Sequence, residues 1–306
     1  MTAITSDFAA APVLPKWVVP VLLLAFAYGV VPLIGSSYLF EAILLPFLAL
    51  SLAGVGLNIL TGIVAAAIGV VFGLPSLRLK GFYLAVSTLA AQFFVQWALT
   101  KFSWFSNNSA SGVIDAPRLS ISGFALDGAI GRYLFALTIV TVLTFLAYRL
   151  ASSQTGRNFI AIRDNETAAR IIGIPVLKTK LLAFAISSFI IGVAGVIWAF
   201  AYLRTVEPDG FDLDRSFQIL FIIIIGGLAS IRGAFFGAAL IVVFPLALSR
   251  LGGFLLGDLF DSGVLDMSQR IVLGALIILF LILEPDGLAA LWDRVRRRLL
   301  FAWQST

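Results

Sequence analysis

The sequence predicts an all-α, polytopic transmembrane helical bundle, and two observations carry that expectation. Of its 306 residues 60% are hydrophobic and 12% charged, against roughly 25% charged in an average soluble domain. Most of the molecular surface must therefore be solvated by lipid. Apolar runs recur at 17–34, 38–61, 63–77, 82–99, 133–148, 181–203, 216–231, 233–249 and 270–283, most of them near the roughly 17–25 residues that a spanning helix needs. They are continuously apolar, without the period-two alternation over about ten residues that marks the strands of a β-barrel. A single transmembrane domain over residues 1–306 follows, with little mass outside the bilayer.

Each run has its own signals. The first, 17–34, is a retained helix: the small-residue stretch Ala9-Ala10-Ala11-Pro12 precedes it, where a cleavable signal peptide would carry its cleavage site afterwards. The second ends with Asn58 and Leu60-Thr61-Gly62. The third, 63–77, is short and joined to its predecessor by Gly62 alone, although antiparallel neighbours in bundles need a connection of a few residues. In the run 82–99, Thr88, Gln92 and Gln96 recur every four residues and share one helix face. With Asn58 they are the candidates for lining a polar pathway, because polar groups inside apolar helices cost free energy unless paired or wetted. Interhelical hydrogen bonding is the competing explanation.

Between the fifth and sixth runs the chain turns polar and basic. The loop 149–180 carries Arg149, Arg157, Arg163, Arg170, Lys178 and Lys180, which marks the cytoplasmic side by the positive-inside bias. Alternation then places 78–81, Arg232 and the C-terminal cluster Arg294, Arg296, Arg297 and Arg298 inside, and leaves the acidic cluster Glu207, Asp209, Asp212 and Asp214 outside. Counting three spanning runs back from Arg78 leaves Lys16 outside, against the same bias. Either 63–77 does not span by itself or a segment is absent near Gly62. Within the loop, Asp164 is positioned to cap a helix of about eight residues beginning at Asn165, and Gly173 followed by Pro175 gives a stop signal. So short a helix needs packing, against its own protein or a soluble partner.

The C-terminal half is broken at Gly226-Gly227-Leu228-Ala229-Ser230-Ile231-Arg232-Gly233, which reads as a helix-helix turn in preference to a ligand contact. Gly69 with Gly73, and Gly233 with Gly237, have the spacing of tight helix crossings. Cysteine and histidine are both absent, which removes thiolate and imidazole chemistry together with the usual zinc ligands. No catalytic, cofactor-binding or metal-binding residue is assigned, and the chain is not expected to be an enzyme. The cations sit at the ends of apolar runs without an aromatic-interleaved stripe, so no nucleic-acid partner is expected. Lys178-Thr179 lacks the preceding glycine of a phosphate loop.

The segments LALSLAGVGLNILTG, GLPSLRLKGFYLAVSTLAAQF, GRNFIAIRDNETAARIIGIPVLKTKLLAFAISSFIIGVAGVIWAF and IIIIGGLASIRGAFFGAAL resemble, in order, the LivM-type permease subunits of branched-chain amino-acid ABC importers. The resemblance implies a multi-pass protein of the bacterial inner membrane, with about 8–10 membrane segments in the full family pattern and a cytoplasmic C-terminus. It implies a second homologous permease, two cytoplasmic ATPase subunits that bind the ATP, and a periplasmic substrate-binding protein. Many such permeases carry EAA-x-x-x-G in the coupling loop. Here Thr167, Ala168, Ala169 and Gly173 occupy that register, with threonine in the glutamate's place and Glu166 one residue early. The implied ATPase-coupling residues are Arg163, Glu166, Thr167, Ala168, Ala169, Arg170 and Gly173. Family members also have a further Gly-rich segment and helix after the LTG turn, a second argument for an absent segment between Gly62 and Ile63. An ion-gradient-driven secondary transporter is the alternative, with Glu41 the one clear intramembrane acid. The outside turn Asn107 to Gly112 is either a contact for the binding protein or an ordinary solvated loop.

Overall fold

A computed structural model describes residues 18–58, 70–71, 73–74, 82–102, 113–115, 120–121, 124–125, 128–206, 208–228, 230–256, 271–272, 274–275, 278, 282 and 287–294. The helices follow the apolar runs. α1 is Val18–Ile34, with a π turn over Phe26–Val30. α2 is Leu45–Asn58, entered through a π turn over Leu39–Leu44. α3 is Phe82–Lys101, α4 Ala129–Ala151, α5 Gln154–Asp164 and α6 Glu166–Ile171. α7, Val176–Val196, continues through a π turn over Ile197–Leu203. α8, Leu213–Gly226, and α9, Ile231–Leu256, complete the long elements. The residues 63–77 and the Gly62–Ile63 junction fall largely outside the described residues, as do Gly69 and the turn Asn107 to Gly112.

Among the described residues two helices are long and apolar enough to cross a membrane, Ala129–Ala151 and Val176–Leu203. At 1.5 Å per residue they reach about 34 and 42 Å, against a hydrocarbon core of about 30 Å. α8 and α9 pass the same test only as a pair, bent by 119° at their junction. α2 is the hub. Leu48, Ala49, Leu50, Ser51 and Leu52 are all buried, and five consecutive residues exceed a full turn, so the helix is covered on every side by α4, α7, α8 and α9. α1 is its opposite: Val19, Val21, Leu22, Leu23 and Phe26 are exposed, as lipid-facing residues are.

Small antiparallel pairs accompany the bundle. β1, Ile114–Asp115, pairs with β4, Thr205–Val206, and β2, Ser120–Ile121, with β3, Phe124–Ala125. The β1–β4 pair ties the chain after α3 to the end of α7, so it marks the end of the bundle opposite the loop 152–175.

At that far end an arginine holds three elements together. Arg132, in the first turn of α4 and almost wholly buried, donates through Nη1 to the Ala201 carbonyl at 2.8 Å and through Nη2 to Glu41 Oε1. Ala201 lies in the last turn of the α7 helix, where carbonyls lack helical donors and positive charge is favoured. Trp198, one turn earlier, packs at a tilt against Tyr202 and lies under the Arg215 guanidinium at 4.7 Å. α8 therefore starts at the far end, capped by Asp212 Oδ1, which accepts from Arg215 N at 3.0 Å. One member of the acidic cluster thus has a plain structural role.

The contacts also orient α1. Glu41 sits at the far end beside Arg132, where Tyr133 donates to the Ala27 carbonyl, while Tyr28 donates to Thr138 Oγ1, further along α4. Val18 therefore lies toward the loop end. Arg232 at the start of α9 pairs with Asp293 at 3.3 Å, which brings the start of α9 beside the segment 287–294.

The break between α8 and α9 is the helix-helix turn expected. Gly227 takes φ +112, and Ser230 Oγ accepts from Gly233 N at 3.1 Å to cap α9. The helices then cross in backbone contact: a Cβ on Gly233 would lie 2.5 Å from the Gly226 carbonyl oxygen, and one on Gly237 would strike the Ile222 carbonyl. The Gly233–Gly237 spacing is thus a true tight crossing. Gly73, by contrast, makes ordinary contact with the Phe184 ring.

Candidate functional site

The basic loop is built from two short helices instead of the single one expected. Ser153 terminates one turn and starts the next: its Oγ donates to the Leu150 carbonyl at 2.6 Å and accepts from Gly156 N at 3.3 Å. Gly156 is required there, because a Cβ would collide with the Leu150 and Ala151 carbonyls. α5 is thereby folded tightly against the end of α4.

The capping residue of α6 is Asn165, not Asp164. Asn165 has extended backbone (φ −157, ψ 105) and its Oδ1 accepts from Ala168 N at 3.0 Å. Asp164 is still the last residue of α5 and pairs with Arg163 at 2.8 Å. An N-cap must leave the helical region, and Asn165 is the residue that does so. The stop signal acts as read: Gly173, at φ +86, lets Ile174 N reach the Ala169 carbonyl at 3.0 Å while its own N–H reaches Arg170 O at 3.1 Å. These are the two hydrogen bonds of a Schellman motif.

This local structure sorts the candidate coupling residues by face. Ala169 is buried, seated toward the protein itself, whereas Thr167 and Ala168 are exposed. Arg163 and Arg170 project into solvent, with 59% and 72% of their side chains exposed. Glu166 is half-buried: its carboxylate takes Lys180 Nζ at 2.5 Å and Arg170 Nη2 at 3.4 Å. The exposed tip includes two residues that the sequence did not single out, Ile171 and Ile172, at 80% and 71% exposure. Their signal was available: two bulky apolar residues next to a glycine stop, in a loop otherwise polar.

The candidate pathway residues are not gathered in one place by the described contacts. Thr88, Gln92 and Gln96 share a face of α3, with Thr88 exposed and the glutamines half-buried. α3 meets the rest of the described chain mainly through the 3-10 turn Pro208–Phe211. Asn58 is the last residue of α2, the hub helix.

Residues 21–281 match the family described as branched-chain amino acid transport system, permease component. The chain belongs to this family. It is therefore a multi-pass membrane protein of a transport permease family. It is 31% identical over 252 residues to the high-affinity branched-chain amino acid transport system permease protein LivM of Salmonella typhimurium, covering 75% of this chain and 56% of the relative. The Escherichia coli protein of the same name matches with the same identity and coverage. A probable branched-chain amino acid transport permease protein LivM of Methanocaldococcus jannaschii is 27% identical over 278 residues, covering 87% of this chain and 78% of its own length. The chain thus spans little more than half the length of the two bacterial relatives. No solved structure matches it.

Proposed function

We propose that this chain is the membrane permease subunit of an ABC importer that moves branched-chain amino acids, or a related small polar solute, into the cytoplasm. It works beside a second homologous permease, with a periplasmic binding protein delivering the solute and two cytoplasmic ATPase subunits supplying energy. The loop 149–180 and the C-terminus face the cytoplasm of a bacterial inner membrane. The chain performs no chemistry and binds no cofactor itself.

The observation that carries this reading is the tip of α6. Ile171 and Ile172 stand exposed on a loop rich in charge, where burying each would return about 1.5–3 kcal/mol. Arg163 and Arg170 flank them, matching a partner that offers an apolar pocket with an acidic rim. The neighbouring Ala169 and Gly173 are poorer probes of docking. Ala169 is already buried, and a larger residue at Gly173 would strain the positive-φ helix end. Replacing both Ile171 and Ile172 by Asp leaves the permease inserted in the membrane and abolishes copurification of the ATPase subunits. Full copurification with normal transport would overturn the docking role.

Ion-gradient transport gains nothing from the fold. Glu41, the intramembrane carboxylate that the sequence singles out, pairs with the buried Arg132, leaving it poorly suited to carry an ion. Uptake that persists without ATP, in vesicles given an ion gradient, would reverse this ranking.

A further inference from the structure

We infer that Glu166 and Lys180 form a strut that delivers displacement of α6 to α7, making Glu166 a positioning residue and not a docking one. The inference rests on the ATPase-coupling reading and refines it.

α6 is otherwise weakly held. Its six residues reach about 9 Å, too short for a helix to keep its own shape. At its start the single extended residue Asn165 separates it from α5. At its end the chain bends at Gly173, with φ +86, before Pro175 leads into α7. Both covalent connections are joints, so a push on the exposed tip would turn α6 about them. Ala169 seats α6 by shape alone. The ion pair between Glu166 and Lys180, at 2.5 Å, is the directional link.

Its location gives the link leverage. Lys180 lies one turn inside α7 and is only partly exposed, at 30% of its side chain. α7 then runs as one helix to Trp198 and Ala201, which engage Arg215 and Arg132. Arg132 in turn holds Glu41. A displacement received at Glu166 therefore has a continuous packed route to the far-end cluster that joins α2, α4, α7 and α8. Glu166 reaches this route through Lys180, and Arg170 holds the same carboxylate from within α6.

The test uses the whole complex in lipid vesicles, and the absence of cysteine makes site-specific labelling clean. Nitroxide labels at Val142→Cys on α4 and Val196→Cys on α7, both exposed positions, report the distance between the helices before and after trapping with ATP and vanadate. The unmodified complex and Lys180→Arg are expected to show a nucleotide-driven change. Glu166→Gln and Lys180→Met are expected to lose it while copurifying and hydrolysing ATP as before. A thiol-to-thiol cross-linker joining Glu166→Cys to Lys180→Cys should restore tight coupling, read as transport per ATP hydrolysed in a complex without the spin labels. Retention of the distance change in both single variants overturns the strut. Loss of copurification in Glu166→Gln but not in Lys180→Met also overturns it and makes Glu166 a docking group. If no ATPase subunit copurifies with the unmodified chain, the coupling reading itself has failed.

Discussion

Replacing Gly233 by Ala should separate α8 from α9. The new Cβ would lie 2.5 Å from the Gly226 carbonyl oxygen, 2.8 Å from its carbon and 3.0 Å from the Gly227 oxygen. Carbon and carbonyl oxygen ordinarily approach no closer than about 3.3 Å, so the backbones must part by nearly an ångström. No side chain is available to rotate away, since every obstructing atom is main chain. Overpacking of this kind costs about 1–3 kcal/mol. Alanine recovers up to about 1 kcal/mol of helix propensity, and less here because Gly233 lies in the first turn of α9. The net loss of about 1–2 kcal/mol corresponds to a fall in Tm of about 2–8 °C. Thermal unfolding of the purified protein in detergent, followed by far-ultraviolet circular dichroism, measures it. Gly29→Ala is the matched control: nothing lies within 4 Å of its Cβ position, so its Tm should stay level or rise. Gly233→Ala melting at or above the unmodified protein would refute the close crossing.

Further outcomes concern the far end and the loop. Glu41→Leu should destabilise more than Arg132→Leu, because it leaves a buried guanidinium unpaired at a cost of about 3–5 kcal/mol, whereas the carboxylate of Glu41 is 52% exposed; paired melting curves decide the order. Arg204 holds φ +63 without being glycine, so Arg204→Gly should raise stability by up to about 1 kcal/mol. Asn165→Ala removes the cap of α6, a loss of about 1 kcal/mol, and should appear as faster amide exchange over residues 166–171 with α5 unchanged. Arg232→Gln breaks a pair whose arginine is 62% exposed and should move Tm by no more than about 4 °C.

The helices were legible because lipid demands continuous apolar length, a signal spread over many residues. The runs 133–148 and 181–203 reappear as Ala129–Ala151 and Val176–Leu203, lengthened at both ends or at the entry by residues such as Arg132 and Lys180 that the apolar pattern omits. Gly173 was legible as a stop for a local reason, since only the few residues around it set its conformation. The cap was misplaced by one residue because Asp164 and Asn165 are equally competent chemically, and the backbone angle decides between them. The pairs Glu41–Arg132 and Glu166–Lys180 were hidden for a different reason. They join residues 91 and 14 positions apart, and no periodicity in a single sequence links such positions. The π turns were equally silent, because Phe26–Val30 and Ile197–Leu203 have the composition of any apolar helix.

Those π turns have a consequence for how the chain tolerates changes in length. A π turn closes i to i+5 and so stores one residue more than an α turn. Deleting a residue within one can be absorbed by local conversion to α-helix, leaving the flanking faces where they were. The same deletion in an uninterrupted α span rotates everything beyond it by about 100° and shortens it by about 1.5 Å. In α1, α2 and α7 the turns at Phe26–Val30, Leu39–Leu44 and Ile197–Leu203 are thus the places where single-residue gaps should fall when related permeases are aligned.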